Sequence, residues 1–92
     1  MKLKDVLKDL NVLDLRADAD LEITGVTYDS RLVKEGDLFV AVRGFSSDGH
    51  AFIPAAVEKG CAAVLCEEEP GTEVPFIRID DTRRGLALAA RN

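Results

Sequence analysis

Apolar positions recur along the chain in three rhythms, and each predicts a different element. Near the start, Leu3, Val6, Leu7 and Leu10 sit at i, i+3, i+4 and i+7, with lysines and aspartates between them. That spacing predicts an amphipathic helix, with Asn11 as a candidate terminator. From Leu21 to Asp29 the period falls to two. Leu21, Ile23 and Gly25 point one way and Glu22 and Thr24 the other, as in a half-buried strand. The third rhythm is the unbroken apolar run. "LFVAV" (Leu38 to Val42) and "CAAVLC" (Cys61 to Cys66) each predict a strand covered on both faces, and "FIRI" (Phe76 to Ile79) predicts a last one.

Breaks between these runs carry turn and cap signals. "VKEGD" (Val33 to Asp37) has the glycine and charge of a tight turn. Phe52, Ile53, Ala56 and Val57 fall at helical spacing, and Gly60 is placed to cap that helix at its C-terminus. Pro54 fits if the helix begins near His50, so that its ring lies in the first turn. "EEEPGTEVP" (Glu67 to Pro75) is a loop. Asp80 or Asp81 then caps a final helix, "TRRGLALAARN", with Leu86, Ala89 and Ala90 along one side. That helix meets no stop signal before the last residue, so the sequence reads as part of a longer chain. The order is α-β-β-α-β-β-α. It predicts an α/β domain of three layers around a mixed sheet of four or five strands, at least partly parallel.

Composition narrows the function more than the fold. A chain of 92 residues makes one domain with a modest core, and 47% hydrophobic with 5% aromatic residues makes that core mostly aliphatic. Seventeen acidic against 12 basic residues give a formal net charge of −5. That excess argues against a nucleic-acid partner or an anionic membrane surface, both of which favour a basic footprint. A small anionic ligand stays compatible, since backbone N–H groups and a few local cations suffice to hold one. No apolar run approaches the ~20 residues of a membrane span, and "MKLKDVLKDL" has neither an apolar h-region nor a cleavage site. The chain reads as cytoplasmic, without membrane insertion. In a strand, Cys61 and Cys66 would stand about 16 Å apart, too far for a disulfide. Two thiols without further ligands also make a poor zinc site, so both read as buried free cysteines.

The candidate site lies between the second apolar run and the central helix. Gly44 to Ala51 reads Gly-Phe-Ser-Ser-Asp-Gly-His-Ala. Its two glycines match the spacing of the phosphate loop G-x-x-x-x-G-K-[ST], but His50 and Ala51 replace the Lys and the hydroxyl. Without that lysine the terminal phosphates stay under-neutralised, without the hydroxyl magnesium loses a ligand, and Asp48 adds a negative charge. Taken alone, the stretch reads as a turn whose glycines serve geometry while Asp48 or His50 caps the helix. A second polar cluster changes the picture: "TYDSR" (Thr27 to Arg31) ends the preceding strand. If the two strands lie side by side, both clusters reach the same sheet edge, where open α/β sheets bind ligands. Ser30, Ser46 and Ser47 then offer hydroxyls, Tyr28 and Phe45 stacking surface, and Arg31 or Arg43 a cation. That set suits a pyrimidine base and ribose better than a triphosphate. For acid–base or nucleophilic chemistry there is one histidine, and no Ser-His-Asp or Cys-His arrangement follows from spacing. No catalytic or metal-ligating constellation is evident.

Several motifs together resemble a known family. Asp29-Ser30-Arg31, Gly36-Asp37-Leu38-Phe39-Val40-Ala41, Gly44, Asp48-Gly49-His50, the Phe52-Ile53 and Ala56 helix, and Gly60 followed by "AAV" are similar to the N-terminal domain of the Mur ligases, as is the ending "IDDTRRGLALAARN". The opening and the ending fit the type that adds the third peptide residue, meso-diaminopimelate or lysine. The resemblance implies that residues 1–92 grip the uridine and diphosphate end of UDP-N-acetylmuramoyl-L-alanyl-D-glutamate. Carried over by position, the substrate-binding residues are Tyr28 and Ser30 beside Asp29, and the triplet Phe45, Ser46 and Ser47. The family's chemistry, in peptidoglycan precursor synthesis, is amide ligation through an acyl phosphate. ATP and Mg2+ serve it in a central domain with a true P-loop, and a C-terminal domain selects the amino acid. Both lie beyond these residues, so the segment alone is expected to be inactive and to hold neither catalytic residue nor metal. Two alternatives are the same domain of the D-alanyl-D-alanine-adding ligase, and a stand-alone, non-catalytic binding module.

Overall fold

The computed structural model describes the backbone of residues 1–43 and 48–91, with side chains as far as Ala89. Its strands are β1 (Val12–Arg16), β2 (Val26–Thr27), β3 (Leu38–Val40), β4 (Ala63–Cys66) and β5 (Phe76–Ile79). The helices are α1 (Leu3–Leu7), α2 (Ile53–Glu58) and α3 (Thr82–Arg91), with 3₁₀ turns at Ser30–Leu32 and Gly49–Phe52. The strands form one five-stranded sheet in the order β1-β5-β4-β3-β2. β2 through β5 run parallel and β1 lies antiparallel to β5, so the sheet is mixed, as expected.

Register explains why the inner runs are unbroken. Leu38 lies beside Ala63, Phe39 beside Val64 and Val40 beside Leu65, and successive side chains of a strand point to opposite faces. Leu38, Val40, Leu65, Ile77 and Ile79 therefore pack on one face with Leu3 and Val6 of α1 and Ala89 of α3. Phe39, Ala41, Val64, Cys66 and Phe76 pack on the other with Val33 and with Ile53 and Ala56 of α2. Helices cover both sides, and every residue of β3 and β4 is buried. Burying one such aliphatic or aromatic side chain contributes roughly 1.5–3 kcal/mol, so the two-sided core is the main source of stability.

The turn and cap signals hold. Gly36 and Gly60 adopt φ of 89° and 92°, the left-handed region where a side chain would be strained. Asp37 ties the first of these turns: its Oδ2 accepts Lys34 N at 2.9 Å and its Oδ1 accepts Thr24 Oγ1 at 3.0 Å. Pro54 occupies the first turn of α2. Asp81 caps α3, its Oδ1 accepting Arg83 N and Arg84 N, both at 3.1 Å.

Other expectations need correction. β1 has no counterpart in the sequence reading, for a physical reason. It is an edge strand with Val12, Leu13 and Leu15 exposed, and a register irregularity between Val12 and Asp14 breaks its alternation. The stretch from Leu21 to Asp29 forms a ladder over Val26–Thr27 alone. Upstream it is extended but served by different neighbours: Leu3 N donates to Leu21 O, Ile23 N to Met1 O and Thr24 N to Gly36 O. Its alternation still shows in burial, with Ile23 inside and Glu22 and Thr24 outside. α1 stops at Leu7, although Leu10 still packs against the core. The strand within "CAAVLC" begins at Ala63, after Cys61; both cysteines are free, but only Cys66 is buried, Cys61 being half-buried ahead of the strand. Along α3 the buried stripe is Thr82, Gly85 and Ala89, with Leu86 partly covered, while Ala90 lies beyond the described side chains. Gly85 packs so closely on β5 that a Cβ there would overlap Ile79 Cδ1.

Burial pushes the Cys66 thiol up to about 12, and the thiolate is the reactive form. The native protein should therefore leave Cys66 unalkylated by iodoacetamide at mildly alkaline pH, with modification appearing on denaturation. Mass mapping that found Cys66 modified at the unfolded-state rate would contradict its place on the buried face.

Candidate functional site

Parallel pairing of β2 and β3, with Val26 beside Leu38 and Thr27 beside Phe39, sends both chains out at the same sheet edge. After β2 comes Tyr28, and then Asp29 caps the 3₁₀ turn that carries Ser30. Asp29 Oδ1 accepts Arg31 N at 2.9 Å and Arg31 Nε at 3.0 Å, and Oδ2 accepts Arg31 Nη2 at 2.8 Å. The Arg31 guanidinium beside it holds the Asp29 carboxyl down to about 2.

After β3 the chain returns in a close approach. Gly49 N donates to Val42 O at 2.8 Å, and a Cβ on Gly49 would lie 2.7 Å from Val42 N. Only glycine fits against that backbone, so the second glycine of the pseudo-phosphate loop serves packing. Asp48 caps the 3₁₀ turn, its Oδ1 accepting His50 N at 3.0 Å and lying 2.6 Å from His50 Nδ1. The opposite ring nitrogen, Nε2, accepts Glu67 N at 2.9 Å and Glu68 N at 3.2 Å. Both imidazole nitrogens are thus committed, and His50 is not available as a general base.

Arg43 is surrounded by acid. Its guanidinium lies 3.5 Å from Asp48, 3.7 Å from Glu67 and 2.9 Å from Glu68. Glu67 Oε2 also accepts Thr82 N at 3.0 Å and Thr82 Oγ1 at 2.7 Å, and Thr82 Oγ1 in turn accepts Arg43 N at 3.2 Å. This network joins the ends of β3 and β4 to the start of α3. It also corrects an expectation: Arg31 is paired bidentately with Asp29 and Arg43 with three carboxylates, so neither offers an uncommitted cation.

Between the two clusters lies a groove of about 530 Å³, lined by Tyr28 to Arg31 and by Val42, Gly49 and Phe52. Tyr28 is 64% exposed and Phe52 47%, which leaves two aromatic faces for a planar ring, with Ser30 beside them. The structure therefore brings Tyr28 and Ser30 together. Phe45, Ser46 and Ser47, like Gly44, lie outside the described residues. Phe52, read at helical spacing with Ile53, Ala56 and Val57, instead ends the 3₁₀ turn just before α2 and is half exposed. The signal was Pro54, which starts the helix at Ile53 and leaves Phe52 ahead of it. A second groove, which shares Tyr28, is lined by Met1, Val26, Arg83, Leu86, Ala87 and Ala89. Among the described residues no cluster suits a metal ion, and no helix is long and apolar enough to cross a membrane.

Comparison with known proteins adds an independent line. Residues 22–92 match the model of the Mur ligase family, catalytic domain. The chain is 46% identical over 93 residues to UDP-N-acetylmuramoyl-L-alanyl-D-glutamate--2,6-diaminopimelate ligase of Bacteroides fragilis, covering 98% of the chain and 19% of that protein. The enzyme of the same name from Bacteroides thetaiotaomicron is 47% identical over 93 residues, with the same coverage of 98% and 19%. The chain thus spans about a fifth of the curated relatives it matches. A crystal structure of MurF from Acinetobacter baumannii superimposes with a TM-score of 0.81 at 24% identity, over 96% of this chain and 20% of that one, a likeness of fold.

The Asp29–Arg31 pair gives a pH test. A carboxyl held low in the folded state stabilises it above the unfolded value near 3.9, and that contribution fades as pH falls through about 2. Followed by carboxyl 13C NMR, Asp29 should titrate near pH 2, and Arg31→Ala should return it toward the ordinary aspartate range. An ordinary midpoint in the unsubstituted protein would contradict the pair.

Proposed function

The chain belongs to the Mur ligase family, and we propose that it is the part of a longer ligase that holds the uridine-diphosphate end of UDP-N-acetylmuramoyl-L-alanyl-D-glutamate. The observation that carries this reading is the groove itself, where parallel β2 and β3 set Tyr28 and Ser30 across from Val42, Gly49 and Phe52. Two aromatic faces and a hydroxyl suit a pyrimidine nucleoside. With Arg31 and Arg43 already paired, the diphosphate would be met by backbone N–H groups of the loop after β3 and by groups elsewhere in the complete protein. The family description speaks of a catalytic domain. We assign residues 1–92 the binding role because no G-x-x-x-x-G-K-[ST] loop occurs in them and both nitrogens of the one histidine are spoken for.

In the complete protein this groove serves an ATP- and Mg2+-dependent amide ligation in the cytoplasm, with central and C-terminal domains supplying the phosphoryl chemistry and the incoming amino acid. The relatives' names point to 2,6-diaminopimelate as that amino acid. The contribution of residues 1–92 is positioning: binding energy spent on the remote nucleotide holds the reacting carboxylate in place elsewhere. The fold likeness to MurF gives no ground to prefer the D-alanyl-D-alanine-adding sister.

Titrated into the 15N-labelled chain, UDP should shift the amides of Tyr28, Ser30 and Phe45 to Ser47, while ATP leaves them in place. Ser30→Ala in the complete ligase should weaken nucleotide-sugar binding by about 1 kcal/mol, the worth of one hydrogen bond. Shifts with ATP but none with UDP would overturn the site assignment.

A further inference from the structure

We infer that His50 is a positioning residue of the groove, pinning the 3₁₀ turn Gly49–Phe52 to the end of β4 so that the Phe52 ring stands across from Tyr28 before any ligand arrives. This rests on the reading of the groove as the nucleotide site. The turn is fixed at two points. Gly49 sits directly on the backbone of Val42, where its N–H donates to the carbonyl at 2.8 Å. One residue on, His50 reaches across to β4 and takes two backbone N–H groups on Nε2, at 2.9 and 3.2 Å. A nitrogen that accepts two N–H groups carries no proton, so the ring's proton is on Nδ1 and is donated to Asp48 Oδ1 at 2.6 Å.

Asp48 is itself oriented. Its Oδ1 takes the His50 backbone N–H as well as the ring, and its Oδ2 faces Arg43 at 3.5 Å. Arg43 extends the clamp to Glu67 and Glu68, the residues whose N–H groups His50 accepts. The end of β3, the turn and the end of β4 are thus joined by hydrogen bonds and ion pairs with the imidazole at their centre. The imidazole is largely buried, its side chain 11% exposed, whereas Phe52 two residues on is 47% exposed. The clamp therefore holds an exposed aromatic ring from a buried anchor. A wall fixed in advance need not be ordered when the ligand binds, and that saved ordering cost appears as affinity.

Two measurements test the clamp. In the unliganded chain, long-range 1H–15N spectra should show Nδ1 protonated and Nε2 unprotonated, the reverse of the tautomer an unconstrained imidazole prefers. Second, UDP affinity is compared by NMR titration among the unsubstituted chain, His50→Gln and His50→Asn. The Gln carbonyl reaches the position of Nε2 and should keep affinity within about threefold; Asn is too short for β4 and should lose about tenfold, the worth of roughly one hydrogen bond. The amides of Val40, Leu65 and Ile77 should stay unshifted in both variants, which separates loss of positioning from loss of fold. A proton on Nε2, or His50→Asn binding UDP as tightly as the unsubstituted chain, overturns the inference. If His50→Asn does not fold, a tenfold loss in His50→Gln overturns it instead. An unsubstituted chain that ignores UDP contradicts the nucleotide reading of the groove, and the tautomer then decides whether the clamp exists.

Discussion

Burial of β3 and β4 on both faces is the constraint from which the rest of the molecule follows. Strands enclosed in this way can carry no polar side chain along their length, since an unpaired polar group there costs several kcal/mol. Polar chemistry is displaced to the strand ends. Because β2 to β5 run parallel, their C-terminal ends share one edge, and Asp29, Arg43, His50, Glu67, Asp81 and Thr82 gather along it or just beyond it. The hydrogen-bond network of that edge and the groove beside it are two results of the same topology.

The edge is also electrostatically particular. Arg43 sits among Asp48, Glu67 and Glu68, and Arg31 is tied to Asp29. These arginines order loops and helix starts, and their charge is largely cancelled where it stands. If the proposed site is right, such a groove would discriminate by shape, stacking and hydroxyl contact more than by attraction for anions. That fits an acidic chain, net −5, whose proposed ligand has its recognisable feature in the base and ribose.

Much of this was legible in the sequence, and the failures are physical. The runs around Val40 and Leu65 announced two-sided burial because nothing polar interrupts them. Gly36, Gly60, Pro54 and Asp81 announced turns and caps because each has few alternatives in the role it fills. β1 was invisible because an edge strand with a register irregularity has no rhythm to read. Tyr28 and Ser30 were expected beside a groove from the proximity of two strand ends, and both line one. Phe52 was lost to the helix beside it, and the roles of His50, Glu67 and Thr82 depend on contacts between residues 15 to 39 positions apart, which no local pattern encodes. The expected cations failed for the same reason: their carboxylate partners are set by the fold.

The central claim is spatial, that the base of a uridine nucleotide lies between Tyr28 and Phe52 at the shared edge of β2 and β3. Intermolecular NOEs between UDP and the chain test it most directly. The account predicts cross-peaks from the uracil ring protons to the aromatic protons of both Tyr28 and Phe52. Cross-peaks confined to Met1, Leu86 and Ala89, in the second groove that Tyr28 also lines, would contradict it.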